Sequence, residues 1–371
     1  MSFDLTSSLA RVTAIAAAHA ESVDGGRFPK EAVDALRAEG LLGLLSATEV
    51  GGLGGTLADA FTVVHALGTV CGSSSMVACM HYCGAAVLEK TGALDVRRAV
   101  AEGRHLSTLA FSEASSRSHF WAPSSTATVE GDEVVMEARK SWITSASHAT
   151  AYVWSSRPTA AEGPSTLWLV PANAPGLSVP RPYVGLGLRG NDSSPVNASG
   201  VRVPAGNRLG ADGGGFDLMM GVVLPTFSVL NSAGSLGAMD RAIAGASAWC
   251  GATRHEHLGT SLADLPTIRA YIARSALRAD QARTLAQDTI TALATGRADA
   301  MIRVLQCKAS AGEAALEVTA TAMRVCGGAA YRQEVGVERA FRDAQASSVM
   351  APTSDQLFDF LGKAACGLPL F

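Results

Sequence analysis

Charge is scarce in this chain. Only 17% of its 371 residues are Asp, Glu, Lys or Arg, and the formal net charge is −3. Without a basic surplus there is no electrostatic footprint for nucleic acid, which is excluded as a partner. Hydrophobic residues make up 48%, too many for a disordered chain. So little charge over so much apolar sequence implies apolar surface buried between copies, and an oligomer is expected.

Many familiar motifs are missing. There is no G-x-S-x-G elbow, no H-E-x-x-H helix and no G-x-G-x-x-G after a strand. A hydrolase nucleophile, a zinc protease and a classical dinucleotide fold therefore lack support. GGLGG (51–55) has no Lys-Ser/Thr ending and reads as a loop between helices. No run reaches the ~18 consecutive apolar residues of a membrane span, so no membrane is expected. TAIAAAHA (13–20) is short, with Asp4 before it and Glu21 after it, and reads as a helix rather than a signal peptide. The seven cysteines are odd in number and scattered, as for free thiols in a reducing cytoplasm. Cys79 and Cys83 in CMHYC share a helical face, but His81 points elsewhere. They read as core cysteines, and no metal site is expected. Internal repeats and low-complexity tails are absent as well.

What is present divides the chain by texture. At this length two or three domains are expected. Residues 1–105 carry apolar residues at helical spacing, as in LARVTAIAAAHA and LADAFTVVHALGTV. From 106 to 210 short Val-, Thr- and Trp-rich runs alternate with Gly, Pro and Ser. VEGDEVVM there predicts two strands joined at Gly131-Asp132. From 211 to 371 helical periodicity returns in long Ala- and Leu-rich segments, as in an antiparallel bundle. The expected class is α+β: an N-terminal helical domain, a small middle β domain of sandwich or barrel type, and a C-terminal four-helix bundle.

Three stretches carry chemistry. KSWITSA (140–146) ends a strand with an indole beside hydroxyls, which can stack on a planar ring and bond its polar edge. SEASSRSH (112–119) follows an apolar strand and offers hydroxyl and backbone donors. VCGGAAYRQEVGVERAFRDA (325–344) closes a long helix with a Gly pair and leads through Glu338-Arg339 and Arg342-Asp343 into the next.

Taken in order, these pieces resemble the acyl-CoA dehydrogenase superfamily over almost the whole chain. FPKEAVDALRAEGLLGLLSATEVGGLGG is similar to that family's entry helix and Gly-rich loop. FSEASSRS stands where the family has a Thr-Glu-Pro-Gly flavin loop, and KSWIT matches its Trp-Ile-Thr strand. RGNDSSPVNASGVRVPAGNRLG resembles its domain-closing strands, and CGGAAY and ERAFRDA its Gly-Gly and Arg-Asp-Ala signatures. The resemblance implies non-covalent FAD and a homodimer or homotetramer. It implies that Phe111, Ser112 and Ser118 line the flavin, that Trp142 and Thr144 cover its ring, and that Thr353 lies near its edge. Gly327-Gly328 would approach the FAD of a neighbouring subunit. A flavin-contacting arginine is represented by Arg254, one residue out of register, with His255 at the aligned place.

The chain departs from the family where the reaction is decided. A family dehydrogenase removes an α-proton with a carboxylate, a contribution of ~10²–10⁴-fold for a general base. Ala351, before Pro352-Thr353, stands at the usual position of that Glu. The alternative positions on the first helix of the last domain are Phe227 and Ser228, which with Ala351 are expected in the substrate pocket. Ala114 replaces a Pro of the flavin loop and Arg117 a Gly. Asp355, one helical turn beyond Ala351, is a candidate for a relocated base. The first reading is an FAD-dependent oxidoreductase acting on an unusual acyl thioester, on CoA or a carrier protein. The second is a monooxygenase using reduced flavin and O₂, which needs no such carboxylate and prefers an apolar pocket sheltered from water, with His119 or His148 near it. The third is an inactive flavoprotein that keeps FAD for stability.

Overall fold

The structure is a computed structural model in which residues 4–117 and 119–370 are described. Helix α1 (Leu5–Asp24) starts where the Asp4 carboxylate accepts from the Thr6 and Ser7 amides. Its buried Leu9, Val12, Ala16, Ala20 and Val23 recur every three or four positions and form one inward face. Next come α2 (Lys30–Ala38), α3 (Leu57–Gly68), α4 (Gly72–Thr91) and α5 (Leu94–Ala101). Thr56 and Asp59 build a reciprocal capping box that starts α3. GGLGG lies in the loop before it. Cys79 and Cys83 are buried in α4, and His81 donates to the Leu42 carbonyl at 2.8 Å and accepts from the Ser107 amide at 3.1 Å. Among the described residues no cluster suits a metal.

The middle of the chain forms β1 (Ser107–Ala110), β2 (Thr126–Glu130), β3 (Glu133–Ile143), β4 (Ala151–Ser156), β5 (Thr166–Pro171), β6 (Leu177–Ser178), β7 (Ser194–Pro204) and β8 (Arg208–Leu209). They make two four-stranded sheets, ordered β1-β4-β5-β8 and β2-β3-β7-β6. β1 and β4 pair in parallel, and the other strand pairs named here are antiparallel. Met136, Trp154, Trp168, Val196 and Val201 belong to one buried cluster that joins the two sheets. β2 and β3 join through Gly131-Asp132, with Gly131 at φ 67, as the turn of a two-residue hairpin requires.

The last part begins with α6 (Gly215–Leu218), a π-helical turn over Met219–Val223, and α7 (Leu224–Ala252). A small hairpin, β9 (Arg254–His255) and β10 (Thr260–Ser261), leads to α8 (Pro266–Ala294) and α9 (Ala300–Cys326). Then come α10 (Val337–Ala344), α11 (Ala346–Val349) and α12 (Ser354–Ala365). The helices α7, α8 and α9 pack on one another, and α12 lies against α9, giving the expected bundle. The span Gly215–Ala252 is long and apolar enough to cross a membrane, but 72% of its apolar window is buried inside the protein. It is the core helix of the bundle. α7 also crosses α3 at backbone distance: a Cβ on Gly237 would fall 2.6 Å from the Gly68 carbonyl carbon. Glycine is required there, and the first and last helical regions are locked together.

Candidate active site

A cavity of about 820 Å³ opens where the three regions meet, a size suited to a cofactor or small ligand. Met76 and Met80 of α4 form one side. Phe111 and Ser112 follow β1, and Trp142 and Thr144 stand at the end of β3. Val223, Leu224 and Phe227 come from the π-helical turn and α7, and Val349, Ala351 and Thr353 from the C-terminal segment. A π-helical turn widens a helix locally and recurs at functional sites.

The geometry around Trp142 is unusual. The β3–β7 register breaks between Lys140 and Ile143, and a bulge of this kind re-aims a side chain. Trp142 has φ 59 and remains 60% exposed. A left-handed backbone at a bulky residue is strained and is held by its surroundings. Here the indole stacks on Tyr183, centroids 4.2 Å apart at 30°, and the Tyr183 hydroxyl meets the Ser141 hydroxyl at 3.0 Å. The result is a large aromatic face presented to the cavity instead of the core.

Two residues before it, β3 carries one half of a buried ion pair. The Lys140 ammonium donates to Glu113 Oε1 at 2.6 Å and to the Ser155 carbonyl at 2.7 Å. Glu113 also accepts from the Ser124 amide at 2.7 Å and from the Ser124 and Ser125 hydroxyls. Burial alone would raise the Glu113 carboxyl, but Lys140 and the serines outweigh it and hold it at about 2. Burial pulls Lys140 down to about 8 against the Glu113 attraction. The pair is therefore ionised at neutral pH. It ties the 112–117 loop to β3, since Ser141 also donates its amide to the Ser112 carbonyl at 2.9 Å.

On the opposite side the wall has a cation behind it. Lys308 of α9 is 1% exposed. Its ammonium donates to the carbonyls of Pro352 at 2.8 Å, Met350 at 3.0 Å and Ser347 at 3.4 Å. It lies 5.9 Å from the Phe227 ring centroid. Among the described residues no carboxylate pairs with it, and burial pulls it down to about 7. Glu113 is the only acidic residue in the cavity wall among the described residues.

Comparison with known proteins decides the family. Models of the acyl-CoA dehydrogenase N-terminal, middle and C-terminal domains match residues 8–102, 108–201 and 213–365. The chain belongs to the acyl-CoA dehydrogenase family. It is similar to cyclohexane-1-carbonyl-CoA dehydrogenase of Geobacter metallireducens, at 31% identity over 344 residues, covering 89% of this chain and 88% of that enzyme. It is similar to cyclohex-1-ene-1-carbonyl-CoA dehydrogenase of Syntrophus aciditrophicus, at 28% over 338 residues, 88% of this chain and 80% of the other. Butyryl-CoA dehydrogenase from Megasphaera elsdenii shares the fold with a TM-score of 0.89 at 21% identity, over 99% of this chain and 100% of that one. So does the prolyl acyl carrier protein oxidase AnaB, with a TM-score of 0.87 at 17% identity, over 97% and 98%. The protein is thus an acyl-CoA dehydrogenase-like oxidoreductase, of a family that works with flavin.

In this family member the cavity gathers Phe111, Ser112, Trp142, Thr144, Phe227, Ala351 and Thr353 from positions far apart in sequence. Ser118 lies outside the described residues. Ser228 is fully buried and absent from the wall, because the next position on α7 faces another way than Phe227. Arg254 on β9 and Gly327-Gly328 after α9 are exposed and stand away from this cavity. Asp355 is exposed and outside the wall as well. It shares no helical face with Ala351, because α12 begins at Ser354, with Thr353 as its cap, and Ala351 is not on that helix. His119 packs on Trp121 and His148 on Phe28, both outside the wall.

Sequence reasoning missed Tyr183, the Glu113–Lys140 pair and Lys308. Two of them left a signal. Val134, Met136 and Ala138 alternate as buried residues of β3, and Lys140 continues that period. Lys308 falls on the apolar stripe of α9 with Val304, Ala311 and Ala315. A lysine in phase with a core is a buried lysine. Nothing in the sequence showed that Tyr183 would back Trp142.

Proposed function

We propose that this chain is an FAD-dependent dehydrogenase of an unusual acyl thioester, delivered on CoA or on a carrier protein, and that it works as a homodimer or homotetramer. The bulge that turns the Trp142 indole into an 820 Å³ cavity carries the reading. A strained, exposed indole beside Ser112, Ser141 and Thr144 suits a planar ring with a polar edge. Bound there, the flavin supplies hydride acceptance from carbon. Phe111, Ser112 and Ser118 are assigned to line it, Trp142 and Thr144 to cover the ring, and Thr353 to stand at its edge. Arg254 and Gly327-Gly328, exposed on one copy, are assigned to the cofactor of a neighbouring copy. The Glu113–Lys140 pair holds the 112–117 loop against β3 and so keeps the ring seat in shape. Phe227 and Ala351 form the acyl wall. They offer no carboxylate, so as the hydride leaves for the flavin the α-proton passes to solvent at the cavity mouth, which requires a more acidic carbon than an ordinary fatty acyl thioester has.

The test is an anaerobic titration of the flavin-loaded protein with acyl-CoA and acyl-carrier-protein thioesters. Loss of the oxidised flavin absorbance with a thioester is expected. If no thioester reduces the flavin, and the chemically reduced protein instead hydroxylates a substrate with oxygen, the apolar wall belongs to a monooxygenase and the dehydrogenase reading falls.

A further inference from the structure

We infer that the acyl group taken by this cavity carries its own negative charge, so that the substrate is a carboxylate-bearing acyl thioester, the monothioester of a dicarboxylic acid. The inference rests on the thioester reading above and deepens it.

The charges around the cavity do not balance. Glu113 is neutralised by Lys140 at 2.6 Å. Arg117 and Arg189 also line the cavity, and among the described residues neither forms an ion pair. Asp24 does attract Arg189, but Arg342 already holds Asp24 through two bonds, at 2.6 and 2.8 Å. Behind the acyl wall, Lys308 meets three carbonyl acceptors. An ammonium has three N–H donors to match them, while a neutral amine has two. While Lys308 keeps its proton, up to about pH 7, the wall is positive at Ala351, and among the described residues no carboxylate balances it. A buried cation without a counter-ion is costly. A ligand carboxylate near that wall would recover part of this, because the field of a buried charge is weakly screened. A neutral acyl chain would recover none.

Calorimetric titration of the flavin-loaded protein below pH 7, where Lys308 holds its proton, tests the idea with pantetheine thioesters, which carry no phosphate of their own. Succinyl-pantetheine is compared with its neutral amide isostere and with butyryl-pantetheine. The acid is expected to bind at least about 10-fold more tightly than either. Ala351→Glu places a carboxylate on the same wall, and the preference should fall to about one. Lys308→Met should lower it too, and Ala351→Glu keeps the test valid if that variant does not fold. Equal binding of acid and amide in the parent protein overturns the inference while leaving the thioester reading intact. So does a preference that survives Ala351→Glu. Failure of all three thioesters to bind overturns the thioester reading itself. Arg117→Gln and Arg189→Gln separate the remaining source of anions: loss of FAD affinity with an unchanged acid-to-amide ratio assigns the arginines to the cofactor's phosphates and removes them from the argument.

Discussion

The residues that matter most here are charges in places where charge is costly. Lys140 and Glu113 are both almost fully buried. Removing one partner strands the other, a loss of about 3–5 kcal/mol for a buried pair. Glu113→Gln is therefore expected to lower urea stability by that order. Glu113→Gln combined with Lys140→Met should cost clearly less than the sum of the two single changes, since no charge is then left alone. Additive costs would mean that the two residues stabilise the fold separately. Asp355 is the contrasting case. It is exposed and outside the cavity wall, so Asp355→Asn should leave both flavin binding and flavin reduction unchanged. A steep fall in the reduction rate with FAD still bound would restore it as a base.

At the scale of elements, the site depends on how β3 and the 183–193 loop meet. Tyr183→Ala removes the ring behind Trp142, and such a stack is worth about 0.5–1.5 kcal/mol beyond its area. The expected result is red-shifted tryptophan emission and weaker flavin binding, while Tyr183→Phe, which keeps the stack, stays close to the parent. Gly187 anchors the same loop: a Cβ there would lie 2.2 Å from the Arg342 carbonyl oxygen. Gly187→Ala should push the loop off α10 and weaken flavin binding with little change at the distant bundle. The elements themselves were legible because period and punctuation are local properties. The β2–β3 hairpin followed from Gly131-Asp132, and the long helices from their spacing. The bulge at Trp142 was not legible: a one-residue slip depends on the partner strand β7, fifty residues on, and sequence alternation alone does not reveal it. The same limit explains Asp355. Its position relative to Ala351 was read along a helix that in fact begins three residues later.

At the scale of the molecule, buried bases and thiols set the pH response. Burial lowers Lys308 to about 7 and Lys140 to about 8, both from 10.5. Above those values the folded chain has released protons that the unfolded chain still holds, so stability rises with pH from about 7 toward 9. Burial also lowers His81 and His105 to about 4. The unfolded chain takes up protons there first, so stability falls as pH drops below about 6.5. Glu113, at about 2, extends that loss below about 4.5. On the alkaline side burial raises Cys307 and Cys326 to about 11 and Tyr152 to about 12. Unfolded thiols ionise near 9, so stability falls again beyond that point. The expected urea midpoint of the flavin-free protein therefore peaks near pH 9, on the alkaline side of the range common for proteins. Lys308→Met isolates the contribution of one group. It should flatten the rise between pH 7 and 9 by up to about 1.4 kcal/mol per pH unit, the slope of one proton, and leave the acid limb unchanged. A rise of unaltered slope in that variant would mean that Lys308 keeps an ordinary lysine affinity for its proton, and the positive wall behind Ala351 would then persist through the whole neutral range.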